Sequence, residues 1–293
     1  MSASLVVASS VDQVLRELAS GARAVAGGTD LVVGARQGKA PLPERLVAIH
    51  RLDELRSMHE ADGALRLGAL ATHADIAAHP LVRERLTALA DAAAIVGSHA
   101  TRVQGTIGGN LMNASPAMET GGPLLCFDAW VVLRSAAGVR TIGVGELFAG
   151  PGRTTATPEE LLESVEVPVP DEATGSCYLR LEYRRQMEIA VVGATAVLTL
   201  DSDRVARARV AITALAPTLR RVSAAEDALV EGAAPESAAQ LAAEAAEPIS
   251  DVRASARYRR AMAAVITRRA IEIASARARG EDVPVPANAV SGA

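Results

Sequence analysis

Aromatic side chains are almost missing from this sequence: two Phe, three Tyr and one Trp in 293 residues. A core must therefore come from Ala, Val, Leu and Ile, within a hydrophobic content of 49% that suffices for two or three domains. Cysteine is scarce too. Cys126 and Cys177 are too few to build an iron–sulfur cluster or a structural zinc site, and Cys126 lies in the apolar run Pro123-Leu124-Leu125-Cys126-Phe127, where a buried, inert thiol is expected. Positive charge is not in excess: the formal net charge is −4 and the pI is about 5.8, which argues against a nucleic-acid-binding surface. The arginines at 253–260 and 268–269 recur at helical spacing and read as a solvated face or a protein interface. No apolar run reaches the roughly twenty residues that cross a bilayer. The N-terminus lacks the basic start and long apolar stretch of a signal peptide, so a cytoplasmic protein is expected.

Several chemistries lack their residues as well. The G-x-G-x-x-G fingerprint of conventional dinucleotide-binding domains does not occur. Gly150-Pro151-Gly152-Arg153-Thr154 lacks the Gly-Lys pair of a phosphate loop and reads as an ordinary loop. His50, His59, His73, His79 and His99 are scattered without metal-ligand spacing, and Ser98-His99 are adjacent and cannot face one another. No catalytic or metal-ligating residue is assigned.

What the chain does have is two short glycine motifs, Ala26-Gly27-Gly28-Thr29-Asp30-Leu31 and Thr106-Ile107-Gly108-Gly109-Asn110. Each follows an apolar or β-branched run. Glycine permits positive φ and close approach to the main chain, and successive amides in such loops form anion-binding nests. Either motif alone would pass for a turn. As a pair they suit the pyrophosphate of a dinucleotide held from two sides.

The first fifty residues read as a βαβ unit. A strand at 4–8 precedes a helix opened by Ser10-Val11-Asp12-Gln13, in which Gln13 reaches back to the cap. Gly21 ends that helix, a strand at 23–26 runs into the first motif, and a third strand covers 46–50. Asp62-Gly63 signals a hairpin into a strand at 64–70. Thr72-His73-Ala74-Asp75 opens a short helix, and 81–95 forms a longer one. Strands at 130–134 and 140–144 flank Ala137-Gly138, and the prolines of 166–170 mark a boundary. Strands at 178–184, 191–200 and 205–214 then read as a three-stranded antiparallel sheet, followed by alanine-rich helices at 224–230, 236–246 and 254–276. The division is accordingly 1–55, 56–172 and 173–280, with a flexible tail at 281–293.

Taken together, the motifs resemble the flavin subunit of the molybdenum hydroxylases, relatives of carbon monoxide dehydrogenase and xanthine dehydrogenase. The first matches that family's Ala-Gly-Gly-x-[Ser/Asp]-Leu and the second its Thr-Ile-Gly-Gly-Asn. Leu67-Gly68-Ala69 with Thr72, Arg102, Asn113-Ala114-Ser115-Pro116, Ile189-Ala190-Val191-Val192-Gly193 and Asp251-Val252-Arg253-Ala254-Ser255 with Tyr258-Arg259 fit in the same order. The resemblance implies an α+β fold: a PCMH-type (VAO-like) FAD-binding domain of two subdomains, then a C-terminal three-stranded antiparallel sheet with helices.

It also implies that FAD is held by Val25, Ala26, Gly27, Gly28, Thr29, Asp30 and Leu31 and by Thr106, Ile107, Gly108, Gly109 and Asn110. The phosphates would meet main-chain amides, with hydroxyl donors at Thr29 and Thr106 and with Asn110 bonding back to the main chain. Glu119 stands where the family places an acid on the adenosine ribose, Leu162 where an apolar residue packs on the flavin, and Arg180 where a cation, commonly lysine, lies beside the flavin. Glu188 replaces the usual Asp before Ile-Ala. Relatives that tether FAD carry a histidine in the first motif, and its absence implies a non-covalent cofactor.

The implied function is electron transfer. A large subunit would hold the molybdenum cofactor, a small subunit two 2Fe-2S clusters, and the whole would form a dimer of heterotrimers. The alternative is a stand-alone flavin-dependent oxidase or reductase of the same fold, for which His99 or Tyr183 would have to serve as the acid–base group. A cofactor-free scaffold is opposed by the intact glycine motifs.

Overall fold

Ser10 starts the first helix as the sequence predicts: its hydroxyl accepts from the Gln13 amide, and the helix spans Val11–Ala19. Gln13 reaches one residue beyond the cap, its Oε1 accepting from the Ser9 amide at 2.9 Å. The structure, a computed structural model, describes residues 4–289. Strands Ser4–Val7, Arg45–Ala48 and Arg23–Val25 form a parallel sheet in that spatial order. Parallel neighbours need crossovers. Helix Val11–Ala19 makes one, and the first glycine motif with the short helix Leu31–Arg36 makes the other. Val14, Leu15 and Leu18 on the helix pack on Val47 and Ile49.

Asp62 and Gly63 both take positive φ, 51° and 74°, the conformation of a tight type I′ turn. They join Met58–Ala61 to Ala64–Gly68 at one side of a five-stranded antiparallel sheet, which continues through Leu161–Pro168, Trp130–Ser135 and Gly138–Gly143. The middle strand, Leu161–Pro168, has no counterpart in the sequence reading, which saw only a boundary at its end. Glu163 and Glu166 break its apolar alternation. In the fold Arg66 pairs with both, at 2.9 and 3.1 Å, and Arg134 also pairs with Glu163, so the charges are neutralised across the ladder.

Short helices pack on this sheet. Thr72 and Asp75 form a capping box at the start of His73–Ala78. The single helix expected over 81–95 is two, Pro80–Arg85 and Thr87–Ile95, separated by the buried, non-helical Leu86. That bend frees the Thr87 hydroxyl to donate to the Ser176 carbonyl at 2.7 Å.

The C-terminal sheet is antiparallel, ordered Thr174–Leu181, Val192–Asp201, Arg204–Thr213 and Arg220–Arg221; the last, a two-residue strand, extends the three that were expected. One face, with Tyr178, Val197 and Ala211, joins the core of the preceding unit. The other packs on Ser223–Val230, Pro235–Glu244 and Ala256–Ala278. Small residues make the second contact close: a Cβ on Gly175 would lie 2.1 Å from the Ala274 carbonyl oxygen. An alanine-rich, nearly ring-free core is the composition such spacing demands.

The flexible tail expected at 281–293 is corrected over part of its length. Arg277 Nη2 donates to the Pro284 carbonyl, and the Ala287 amide donates to Asp91, both at 2.9 Å. Ala287 and Asn288 are buried. Residues 290–293 lie outside the described residues. Among the described residues no helix is long and apolar enough to cross a membrane.

Candidate cofactor-binding site

The first motif leaves strand Arg23–Val25 and enters helix Leu31–Arg36. Gly28 takes φ +68°, a left-handed turn that suits glycine. Among the described residues, the amides of Gly27, Gly28, Thr29, Asp30 and Leu31 donate to no protein acceptor. Five consecutive uncommitted donors make a concave positive surface. The Asp30 side chain caps nothing.

The second motif is a helix start rather than a loop. Thr106 is the N-cap of Ile107–Asn113, and its Oγ1 accepts from the Gly109 amide at 3.1 Å. The Ile107 amide donates to the Ala71 carbonyl at 2.9 Å, Gly108 to Ala69 at 3.0 Å, and Asn110 to Thr106 at 2.9 Å. These four amides are committed inside the protein, so the expectation that the whole motif offers main-chain donors to a ligand does not hold. The Thr106 amide stays uncommitted among the described residues. Among the described residues the Asn110 side chain does not bond back to the main chain: its Oδ1 accepts from the Thr120 hydroxyl at 2.7 Å, fastening the helix to the segment that carries Glu119.

The glycines divide by what surrounds them. A Cβ on Gly27 would lie 1.9 Å from the Gln104 carbonyl oxygen, and one on Gly108 would lie 2.8 Å from the Ala69 oxygen. Both are bare because backbone crosses backbone there. Gly109 is exposed, and a Cβ on it would meet only Thr106 Oγ1, at 3.1 Å. Its open side is where a ligand can approach. Gly105 extends the seam, with a built Cβ 3.3 Å from His73 Cδ2 and 3.5 Å from Thr29 Oγ1. The structure thus brings the two motifs together, beside a cavity of about 340 Å³ lined by Ala26, Gly27, His50, Leu70, Thr72 and Thr106 among others.

Away from the glycines, Glu119 and Arg180 meet directly. Arg180 is fully buried; its Nη1 lies 2.5 Å from Glu119 Oε1 and its Nε 2.6 Å from Glu182 Oε2. Burial opposes the Arg180 charge, but the carboxylates of Glu119 and Glu182 outweigh it and hold the guanidinium protonated. Burial pushes the Glu119 carboxyl up, against the pull of Arg180. Arg180 Nη2 is buried without a partner among the described residues. The resemblance sets Glu119 at one end of an extended dinucleotide and Arg180 at the other. A 2.5 Å ion pair cannot serve both ends, so that division of roles is corrected.

Leu162 lies at a bulge of strand Leu161–Pro168 and is buried in the core of the second unit. Val25 closes its strand half-buried. The sequence reading missed Gln104-Gly105, Glu182 and Asn288. Only the glycine at 105, directly before the second motif, carried a local signal.

Comparison with known proteins shows what the chain is similar to. The family described as "FAD binding domain in molybdopterin dehydrogenase" matches residues 1–170, and "CO dehydrogenase flavoprotein C-terminal domain" matches residues 178–274. The carbon monoxide dehydrogenase medium chain of Hydrogenophaga pseudoflava is 32% identical over 268 residues, 90% of this chain and 93% of that one. A putative xanthine dehydrogenase FAD-binding subunit of Escherichia coli is 30% identical over 266 residues, 89% and 91% of the two chains. Among solved structures, carbon monoxide dehydrogenase from H. pseudoflava superposes with a TM-score of 0.90 at 31% identity, covering 94% of this chain and 98% of that one.

Proposed function

This chain belongs to the FAD-binding subunits of the molybdenum hydroxylases, and on that premise we propose that it is the electron-transfer subunit of such an enzyme. FAD sits without covalent attachment where the units 1–55 and 56–172 meet, and the unit 173–280 closes the flavin end. The observation that carries this reading is the run of five uncommitted amides from Gly27 to Leu31, at the seam with the Thr106 helix cap. A diphosphate needs several convergent donors, and this run supplies them. Thr29 and Thr106 add hydroxyls, and Gly109 leaves the approach open.

Glu119 and Arg180 both act at the flavin end. Arg180, kept charged by its two carboxylate neighbours, has Nη2 left to donate and places a cation where negative charge grows on reduction. Leu162, buried in the core of the second unit, is left out of the cofactor contacts. The chemistry that FAD supplies when bound is the uptake of electrons from a partner and their release to an external acceptor. A large subunit with the molybdenum cofactor oxidises the substrate, and a small subunit with two 2Fe-2S clusters relays electrons to this chain; the assembly is a cytoplasmic dimer of heterotrimers. The relatives' names, medium chain and FAD-binding subunit, support a division of labour among chains.

The test is purification of the chain with the proteins that stay bound to it. One FAD per chain, together with iron and molybdenum in the co-purifying subunits, is expected. Turnover of an organic substrate by the chain alone would replace this reading with a stand-alone flavoenzyme. A colourless chain that takes up no FAD would refute both.

A further inference from the structure

One edge of the C-terminal sheet is closed by side chains instead of another strand. Among the described residues, strand Thr174–Leu181 is outermost and pairs with Val192–Asp201 alone. Several of its outward main-chain groups, at alternate residues, are taken up by side chains. The Ser176 carbonyl accepts from Thr87 Oγ1 and Arg277 Nη1, both at 2.7 Å. The Tyr178 amide donates to Asp91 Oδ2 at 3.2 Å. Arg180 is held twice by a single side chain: its amide donates to Asn288 Oδ1 at 3.1 Å, and its carbonyl accepts from Asn288 Nδ2 at 2.9 Å. A side-chain amide offers an acceptor beside a donor, as a peptide group does. Asn288 stands where a neighbouring strand would.

Asn288 is itself anchored. The Ala287 amide before it donates to Asp91 Oδ1, and the Pro284 carbonyl accepts from Arg277. Asp91 and Arg277 are themselves an almost fully buried ion pair at 2.6 Å. The closing segment is therefore a strap tied at 284, 287 and 288, and its last tie lands on the residue whose side chain crosses to Glu119. On its other side Arg180 is registered against Gly193 in the neighbouring strand. Beyond Leu181 the chain leaves the sheet until Val192, and from that excursion the Glu188 carbonyl accepts from Arg180 Nη1 at 3.4 Å. On the outward side of the Arg180 backbone, Asn288 makes the hydrogen bonds.

From this we infer that Asn288 is a positioning residue for the cofactor site: by locking the Arg180 backbone it sets where the guanidinium stands against Glu119 and the flavin. The inference rests on the reading above that Arg180 faces FAD. A strap that merely stabilises the fold predicts a lower melting point and an unchanged flavin. A strap that positions Arg180 predicts a changed flavin.

The experiment compares Asn288→Ala, Arg180→Gln and the double variant in the FAD-loaded full-length chain. It measures the FAD dissociation constant, the flavin midpoint potential and the thermal midpoint. Arg180→Gln weakens FAD binding by about tenfold or more and shifts the potential. Asn288→Ala moves both in the same direction by a smaller factor, and the double variant is no worse than Arg180→Gln alone. Asn288→Asp, which keeps the acceptor for the Arg180 amide but sets a carboxylate against its carbonyl, behaves as Asn288→Ala does and carries the comparison if the alanine variant does not fold. If Arg180→Gln moves the flavin observables and Asn288→Ala moves only the thermal midpoint, the positioning role is overturned. Additive effects in the double variant overturn it too, because Asn288 would then act by another route. If Arg180→Gln leaves the flavin unmoved, the reading of the site falls, and the positioning role with it.

Discussion

Replacing Gly27 with Ala puts a methyl carbon 1.9 Å from the Gln104 carbonyl oxygen and 2.6 Å from its carbon. Neither atom belongs to a flexible side chain, so the backbones on either side of the seam must part by more than about 1 Å. Overpacking of this kind costs about 1–3 kcal/mol. Expressed entirely in cofactor binding, that is a loss of roughly 5- to 150-fold in FAD affinity. Gly109 isolates the other way a glycine can matter. Its added Cβ meets only Thr106 Oγ1, at 3.1 Å, and Ala is better than Gly in a helix by about 1 kcal/mol. Gly109→Ala therefore leaves the seam between backbones untouched, asks only the Thr106 hydroxyl to give slightly, and narrows the cofactor's approach. The assay is titration of each apoprotein with FAD, followed by flavin fluorescence, alongside its thermal midpoint. Gly27→Ala should lose on both measures and Gly109→Ala chiefly on affinity. A Gly27→Ala protein that melts and binds normally would refute the packed seam, and unchanged affinity in Gly109→Ala would take that residue out of the cofactor's path.

Asp91→Ala strands the buried Arg277 guanidinium, and breaking such a pair costs about 3–5 kcal/mol; a thermal midpoint close to that of the unaltered chain would contradict this account of the junction. Burial, aided by the charge of Arg102, lowers the His73 pKa from 6.5 to about 4. The unfolded chain then takes up that proton first, so stability falls as pH drops from 6.5 through 4, by on the order of 3 kcal/mol at most. Denaturant midpoints of His73→Gln should lack this acid limb, and a curve parallel to the parent's would exclude His73 as its source. For Asp251, burial opposes ionisation, but bonds from the Arg253 and Ala254 amides and from Arg259 prevail and lower its pKa from 3.8 to about 2. Its contribution is present above pH 4 and is lost as pH falls toward 2; Asp251→Asn should flatten that part of the stability profile, and an unflattened profile would rule it out.

Features that a few neighbouring residues decide were readable in the chain: the Ser10 and Thr72 caps, the Asp62-Gly63 turn and the two glycine motifs. What the glycines face was not. Gly27 and Gly108 are bare because Gln104 and Ala69 cross them, and those partners are distant or unmarked in sequence. Thr106 as a helix cap was legible in principle, since Thr precedes a helical run, but the Gly-Gly pair argued for a loop. Strand Leu161–Pro168 hid behind Glu163 and Glu166, whose charges make sense only once Arg66 and Arg134 stand alongside. The Glu119–Arg180 pair joins two residues that the resemblance had set at opposite ends of the cofactor.

The bond from Asn288 to Arg180 spans 108 positions. During synthesis, Gly27 and Gly109 emerge long before Asn288 does. The part of the fold that carries the two glycine motifs can therefore form while translation continues, but the sheet edge at Arg180 is finished only once Asn288 has emerged to close it.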